Sequence, residues 1–371
     1  MALITEQKND QLICLNELVD VFGQNQDPFD SNIFHGSLGI VLFEMFYLKY
    51  FENEKLNSNA IEKILNAYKL LLNSEKRDEC GGEVINGWLL CFLVNNDLIE
   101  LELDTMLEDI DHYICVKVQT TFCNEVNDLF LRGYYLYERL QCTNNDFIKR
   151  SIIESIAYVL EEISYLQEQF DNVRREASNF DIRREFQFQT LSIFYINRLQ
   201  PYKIYTHKQQ ELEDSLLNSY LVNIQQFFEL SCYSDCECLE VYLKARMILN
   251  LHVDKNNDKL KKVNGLLNMA IDSLIPKIIK ILSVIPLRTK VLYTKLIKNM
   301  KDANWSTVNL DELGSQLIQH LTNVLAIKVW EKKCNHIFTN KGLGGLSGLG
   351  LNLLEYRINE RIPWDSMFLL F

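Results

Sequence analysis

Glycine placement constrains this chain more than any other feature. Eleven of its 14 glycines fall in four clusters: Gly36 and Gly39; Gly81, Gly82 and Gly87; Gly133; and Gly342, Gly344, Gly345, Gly348 and Gly350. Each cluster opens or enters an apolar run, in HGSLGIVLFEMF, GGEVINGWLLCFLV, RGYYLYERL and GGLSGLGLNLLEY. The intervals from Gly39 to Gly87 to Gly133 are 48 and 46 residues, and the 212 residues from Gly133 to Gly345 hold four further periods near 53. Glycine inside a helix costs about 1 kcal/mol relative to alanine, so its recurrence there points to close approach of backbones. A period of about fifty with two helices per unit describes a helical-pair repeat of roughly seven units, stacked as an open solenoid or a closed ring.

The local pattern is helical throughout. From Gly39 to Tyr50 the run GIVLFEMFYLKY is apolar almost all round, the mark of a helix buried on most sides. Asn59 to Leu72 differs: Asn59 is placed to cap, Glu62 to reach back, and Ile61, Ile64, Leu65, Tyr68 and Leu72 follow at helical spacing. Asn86-Gly87 and Asn264-Gly265 lack flanking alternation, so hairpins are not expected. The fold expectation is all-α. Gly342 to Gly350 lacks the Lys-Ser/Thr of a phosphate-binding loop and follows no strand.

The longest apolar stretch that stands out, Trp88 to Val94, is far short of the roughly 18 residues a membrane span needs. The start, MALITEQKND, lacks a basic-then-apolar export pattern, so a soluble cytoplasmic protein is expected. Ten cysteines are then read as reduced, with Cys14, Cys91 and Cys115 inside apolar helical patterns. A net charge of −12 disfavours nucleic acid as a partner. That charge is uneven: residues 253–301 carry eleven Lys or Arg against Asp254, Asp258 and Asp272, a local +8.

FHGSLGIVLF, GGLSGLGLNLLEY and the closing IPWDSMFLLF, in that order and spacing, resemble the lanthionine synthetase C-like proteins. The resemblance covers 34–371, leaving 1–33 as an N-terminal helical segment. It implies an α/α toroid, about seven inner helices ringed by seven outer ones, with Gly36, Gly39, Gly345, Gly348, Gly350 and Trp364 in structural places. Active members of that family hold Zn²⁺ by a Cys from a Trp-Cys-x-Gly loop and a Cys-His pair from a Cys-His-Gly loop. Zinc keeps thiolates deprotonated near neutral pH, and an open position receives the substrate thiol that adds to a dehydroamino acid.

The sequence departs from that pattern at the site. In LSCYSDCECLEVYLKARMIL, Cys232 stands at the first ligand's place, with Ser231 where Trp is usual and Ser234 and Glu237 where Gly is usual. Where the Cys-His-Gly loop is due, the chain reads ILSVIPLRTKVLYTKL, without Cys or His. Phe186 and Gln187 stand where a proton-transferring His-Gly pair is usual. Cys232, the retained metal-ligand position, does not make a zinc site alone. A rebuilt zinc set from Cys232, Cys236, Cys238, Cys334 and His336 matches no standard spacing, and no cofactor is expected. His35 takes a structural place, and His112, His207, His252 and His320 lack partners at telling spacing.

Two other chemistries are open to such a ring. Glycoside hydrolysis would need paired carboxylates, for which Asp128 and Asp235 are the nominees. Peptide binding would use a basic rim: Arg183, Arg184 and Arg288 fall near repeat starts, although Lys259, Lys261 and Lys262 also read as one solvated helix face. The expected function is a non-catalytic, peptide-binding or scaffolding relative of the cyclases, partnered with a peptide or a peptide-modifying enzyme. The alternatives are a working thioether-forming cyclase built on Cys232 and an unrelated interaction solenoid.

Overall fold

In the computed structural model the chain is described over residues 2–23, 33, 36–73, 82–123, 125–176, 182–204, 206–229, 233–252, 258–302, 308–326 and 342–364. The structure is all-α, with fifteen α-helices, one short 3-10 turn and no strand among the described residues. No described helix is long and apolar enough to cross a membrane.

The helices form two compact units, residues 1–101 with 275–369, and residues 102–274. The first unit holds α1 (Ala2–Gly23), α2 (Ser37–Tyr50), α3 (Glu54–Asn73), α4 (Gly82–Asn95), α13 (Leu287–Asp302), α14 (Val308–Ala326) and α15 (Leu346–Ile358). Within it α15 packs on α13, α1 and α2, and α2 packs in turn on α3 and α4. The second unit holds α5 (Leu103–Met106), α6 (Glu108–Thr120), α7 (Val126–Cys142), α8 (Asp146–Glu176), α9 (Ile182–Leu199), α10 (Thr206–Glu229) and α11 (Asp235–Asn250). Within it α9 packs on α7 and α11 and also on α8 and α10. The helix α12 (Asp258–Lys280) begins in the second unit.

Two kinds of helix alternate along the chain. α2, α4, α7, α9, α11, α13 and α15 each carry a long run of buried residues, such as Leu38 to Tyr47 in α2 and Leu346 to Glu355 in α15. The starts of these seven lie 44 to 59 residues apart, close to the period read from the glycines. The intervening helices bury one stripe only. In α12, for example, Leu260, Val263, Leu267, Ile271, Leu274 and Ile278 point inward at spacings of three or four. Cys14, Cys91 and Cys115 are buried on helices, thiols packed like small apolar side chains.

The glycines act where backbones meet. A Cβ on Gly39 would come within 2.7 Å of the Gly342 Cα and of the Ile33 carbonyl, and one on Gly348 would overlap the Leu343 carbonyl. Gly350 leaves room for the Phe43 ring of α2, and Gly133 for Tyr195 of α9. The Leu343 N–H donates to the Ile33 carbonyl at 2.9 Å, tying the approach to α2 to the approach to α15. Gly36 and Gly345 are the N-cap residues of those two helices, and Trp364 is fully buried.

α3 departs from the expected helix. It starts at Glu54 rather than beside Asn59, because the Asn53 side chain accepts the Leu56 N–H at 3.0 Å and caps the first turn. On this helix Leu56, Ala60 and Ile64 are buried, whereas Ile61 and Leu65 of the expected apolar face are about half exposed.

Candidate functional site

The starts of α7, α9 and α11 lie on one rim of the second unit. Gln187 of α9 donates to Asn127 of α7 at 3.2 Å, and Arg183 of α9 pairs with Glu237 of α11 at 2.6 Å. The Arg183 guanidinium also lies over the Tyr233 ring at 5.2 Å, and Tyr233 stacks on Phe227 at 4.6 Å. The result is a plate of cation, ring and ring, held at its edge by a carboxylate.

This rim is made by side chains rather than by glycine. Ser234 is the N-cap of α11: its hydroxyl accepts the Glu237 N–H at 3.3 Å, and Glu237 accepts the Ser234 N–H at 2.9 Å. That reciprocal box is a strong helix start. Donation from the Ser234 backbone and hydroxyl, followed by the nearby Arg183, holds the Glu237 carboxyl below its usual range. Asp235, one of the two sugar-site nominees, sits in the first turn of α11, and Asp128 sits in that of α7. Both positions favour a negative charge on helix-dipole grounds alone.

The metal question falls on few described atoms. Cys232 lies outside the described residues, as do Ser231, His35, Cys334 and His336. Cys236 and Cys238 are half-buried in the first turn of α11, and Cys238 approaches the Tyr233 carbonyl at 4.0 Å. Among the described residues no three His, Cys, Asp or Glu side chains converge as metal ligands would. Phe186, at the position of the proton-transferring histidine in the resemblance, is buried and stacks on Tyr220 at 4.7 Å. A phenyl ring packed in this way moves no proton.

The histidines have local settings. His252 is buried with Nδ1 3.2 Å from Glu213, and His207 is exposed beside Glu211 at 3.2 Å. His112 is exposed. His320 faces Lys290 at 3.0 Å, where burial first and the lysine second push its pKa down.

The basic stretch is divided by the fold. Lys290, Lys295 and Lys298 of α13 are buried, and Lys301 pairs with Asp311 at 2.8 Å. Lys295 pairs with Glu355, donates to the Ile362 carbonyl at 2.7 Å and lies 5.3 Å from the Trp364 ring. Lys298 lies over Tyr356 at 5.7 Å. Three of the eleven cations of the positive stretch are therefore buried inside the protein. Arg288 is exposed at the start of α13, Arg184 is exposed beside Arg183, and Lys259, Lys261 and Lys262 line the solvent face of α12.

A repeated acid escaped the sequence reading. Glu44, Glu138 and Glu355 each stand five residues after a glycine (Gly39, Gly133, Gly350), and all three are buried. Each takes a cation from another helix: Lys63 at 2.5 Å, Arg198 at 3.6 Å and Lys295 respectively. The signal was the spacing itself, Gly-x4-Glu in three of the four glycine clusters. No protein-family model and no curated protein matches the chain.

Proposed function

We propose that this chain is an α/α toroid of the lanthionine synthetase C-like kind that binds a peptide, or holds a peptide-modifying enzyme, in the cytoplasm without performing the cyclase reaction. Seven helices with long buried runs, alternating with one-sided ones, support the ring. So does the packing order, α13–α15–α2–α4 in one unit and α7–α9–α11 in the other. Counting α1 with α3, α6, α8, α10, α12 and α14 gives seven outer helices to match.

The observation that carries the loss of catalysis is Phe186. The position where a proton should move is a buried ring stacked on Tyr220. Beside it, the rim of Asn127, Gln187, Arg183 and Tyr233 supplies hydrogen-bond donors, an acceptor and an aromatic face. That set suits a peptide backbone and an acidic side chain, and lacks an acid–base pair. Arg183 and Arg184 would contact the peptide, Arg183 by exchanging Glu237 for a carboxylate of the ligand.

Metal analysis of the purified full chain tests the reading. After dialysis we expect well under one zinc per chain. A stoichiometric zinc lost in Cys232→Ala, together with thioether formation on a dehydrated peptide, would establish the cyclase instead.

A further inference from the structure

A groove of about 470 Å³ runs between α8 and α10 of the second unit. Small and apolar side chains form its floor: Ala157, Leu160 and Ser164 from α8, and Leu212 and Ser215 from α10. Along α8 the lining residues recur at 157, 160 and 161, 164, 167 and 168, and 171. That three-then-four spacing is the line a packed partner helix follows, and small residues let its backbone come close. From 157 to 171 the line is about 21 Å long, roughly four turns of helix.

The walls are acidic. Glu161, Glu168 and Glu211 are exposed on them, Asp171 is shared with Arg174 at 3.9 Å, and Lys208 is the cation of the lining. Glu211 also has His207 beside it at 3.2 Å. Such walls repel phosphates and anionic lipid and attract cationic side chains.

The width of the groove is fixed from beneath. Gln167 is buried and donates to Asp171 on its own helix and to Ser219 of α10, both at 3.2 Å. Gln209 of α10 donates to the Ile196 carbonyl of α9 at 3.0 Å. A site held open in this way costs little to order on binding.

We propose that the α8–α10 groove docks a basic amphipathic helix of a partner protein, its small and apolar face on the floor and its Lys or Arg side chains against Glu161, Glu168 and Glu211. This site is separate from the rim, so it stands or falls independently of the zinc question.

The test is fluorescence anisotropy with the full chain and a fluorescein-labelled peptide of four Ala-Leu-Lys-Lys repeats, with Ala-Leu-Glu-Glu repeats as the opposite probe. We expect the basic peptide to bind at about micromolar Kd and the acidic one not to bind here. Ser164→Trp, which fills the floor without changing charge, should weaken binding about tenfold, as should Glu161→Lys with Glu168→Lys. Reversing Glu108 and Asp109 on α6 makes the same charge change elsewhere and should shift Kd less than threefold. All these positions are exposed, and an unchanged thermal melt confirms that each variant folds. Wild-type binding by Ser164→Trp would overturn the proposal, and so would equal weakening in the α6 variant. Sedimentation showing a self-associated chain that Ser164→Trp disperses would overturn it in favour of a second copy as occupant.

Discussion

The meeting of α2 with α15 and the rim at the starts of α9 and α11 solve one problem in two ways. Each must begin a buried helix close beside another. At α2 and α15 the solution is glycine: backbones meet at Gly39, Gly342 and Gly348, and no capping side chain intervenes. At α11 side chains do the work, with Ser234 and Glu237 closing the helix start and Arg183 of α9 bridging to it. The first solution tolerates almost no added atom. The second can be changed one group at a time, which is what a surface free to acquire a new ligand requires.

The contrast can be broken from either side. The largest expected effect is Glu355→Ala, which leaves Lys295 buried without its carboxylate and should cost about 3–5 kcal/mol in a denaturant titration. Lys295→Met with Glu355→Leu should recover only part of that loss: the pair's desolvation cost disappears, but the buried Ile362 N–H and carbonyl lose their partners. Next, Gly39→Ala should cost about 1–3 kcal/mol by overpacking backbone on backbone, and Gly133→Ala less, since the Tyr195 ring can shift. Equal losses at the two glycines would remove the distinction drawn here. Ser234→Ala should cost about 1 kcal/mol, the ordinary worth of an N-cap, and leave the α2–α15 meeting untouched.

The smallest effect is a pH dependence at Glu44. Burial holds its carboxyl above the ordinary 4.5, with Lys63 pulling the other way. A raised carboxyl favours folding at low pH, and that contribution is lost as pH rises through the folded-state value. Glu44→Gln, which cannot ionise, should therefore melt higher than wild type by a larger margin at pH 8 than at pH 4. A constant margin across that range would mean that burial does not govern this acid.

Much of the frame was legible in the sequence because it depends on local pattern. The all-round apolar run of α2 marked a buried helix, and the glycine period marked the spacing of all seven such helices. α13 was not legible: Lys290, Lys295 and Lys298 counted only as part of the positive stretch 253–301, and only partners from α14 and α15 show why they lie inside. Asn53 and Asn59 are equal candidates for a cap until the helix length is known. At the rim, the absence of glycine was visible, but its replacement was not recognised. Ser234-Asp-Cys-Glu237, where the resemblance would place glycines, is itself a capping-box signature.

The bonding of the Ile33 carbonyl to the Leu343 N–H has a consequence for how the molecule is made. Cys14 of α1 meets the Thr322 carbonyl across 308 residues of chain, and Phe43 waits for Gly350. While the middle of the polypeptide is still being made, α2 can pack on α3 and α4, but the faces of α1 and α2 that meet α15 lack their partner. Those apolar faces are covered only once residues 342–350 arrive, and contacts so far apart in sequence are the slow ones to form.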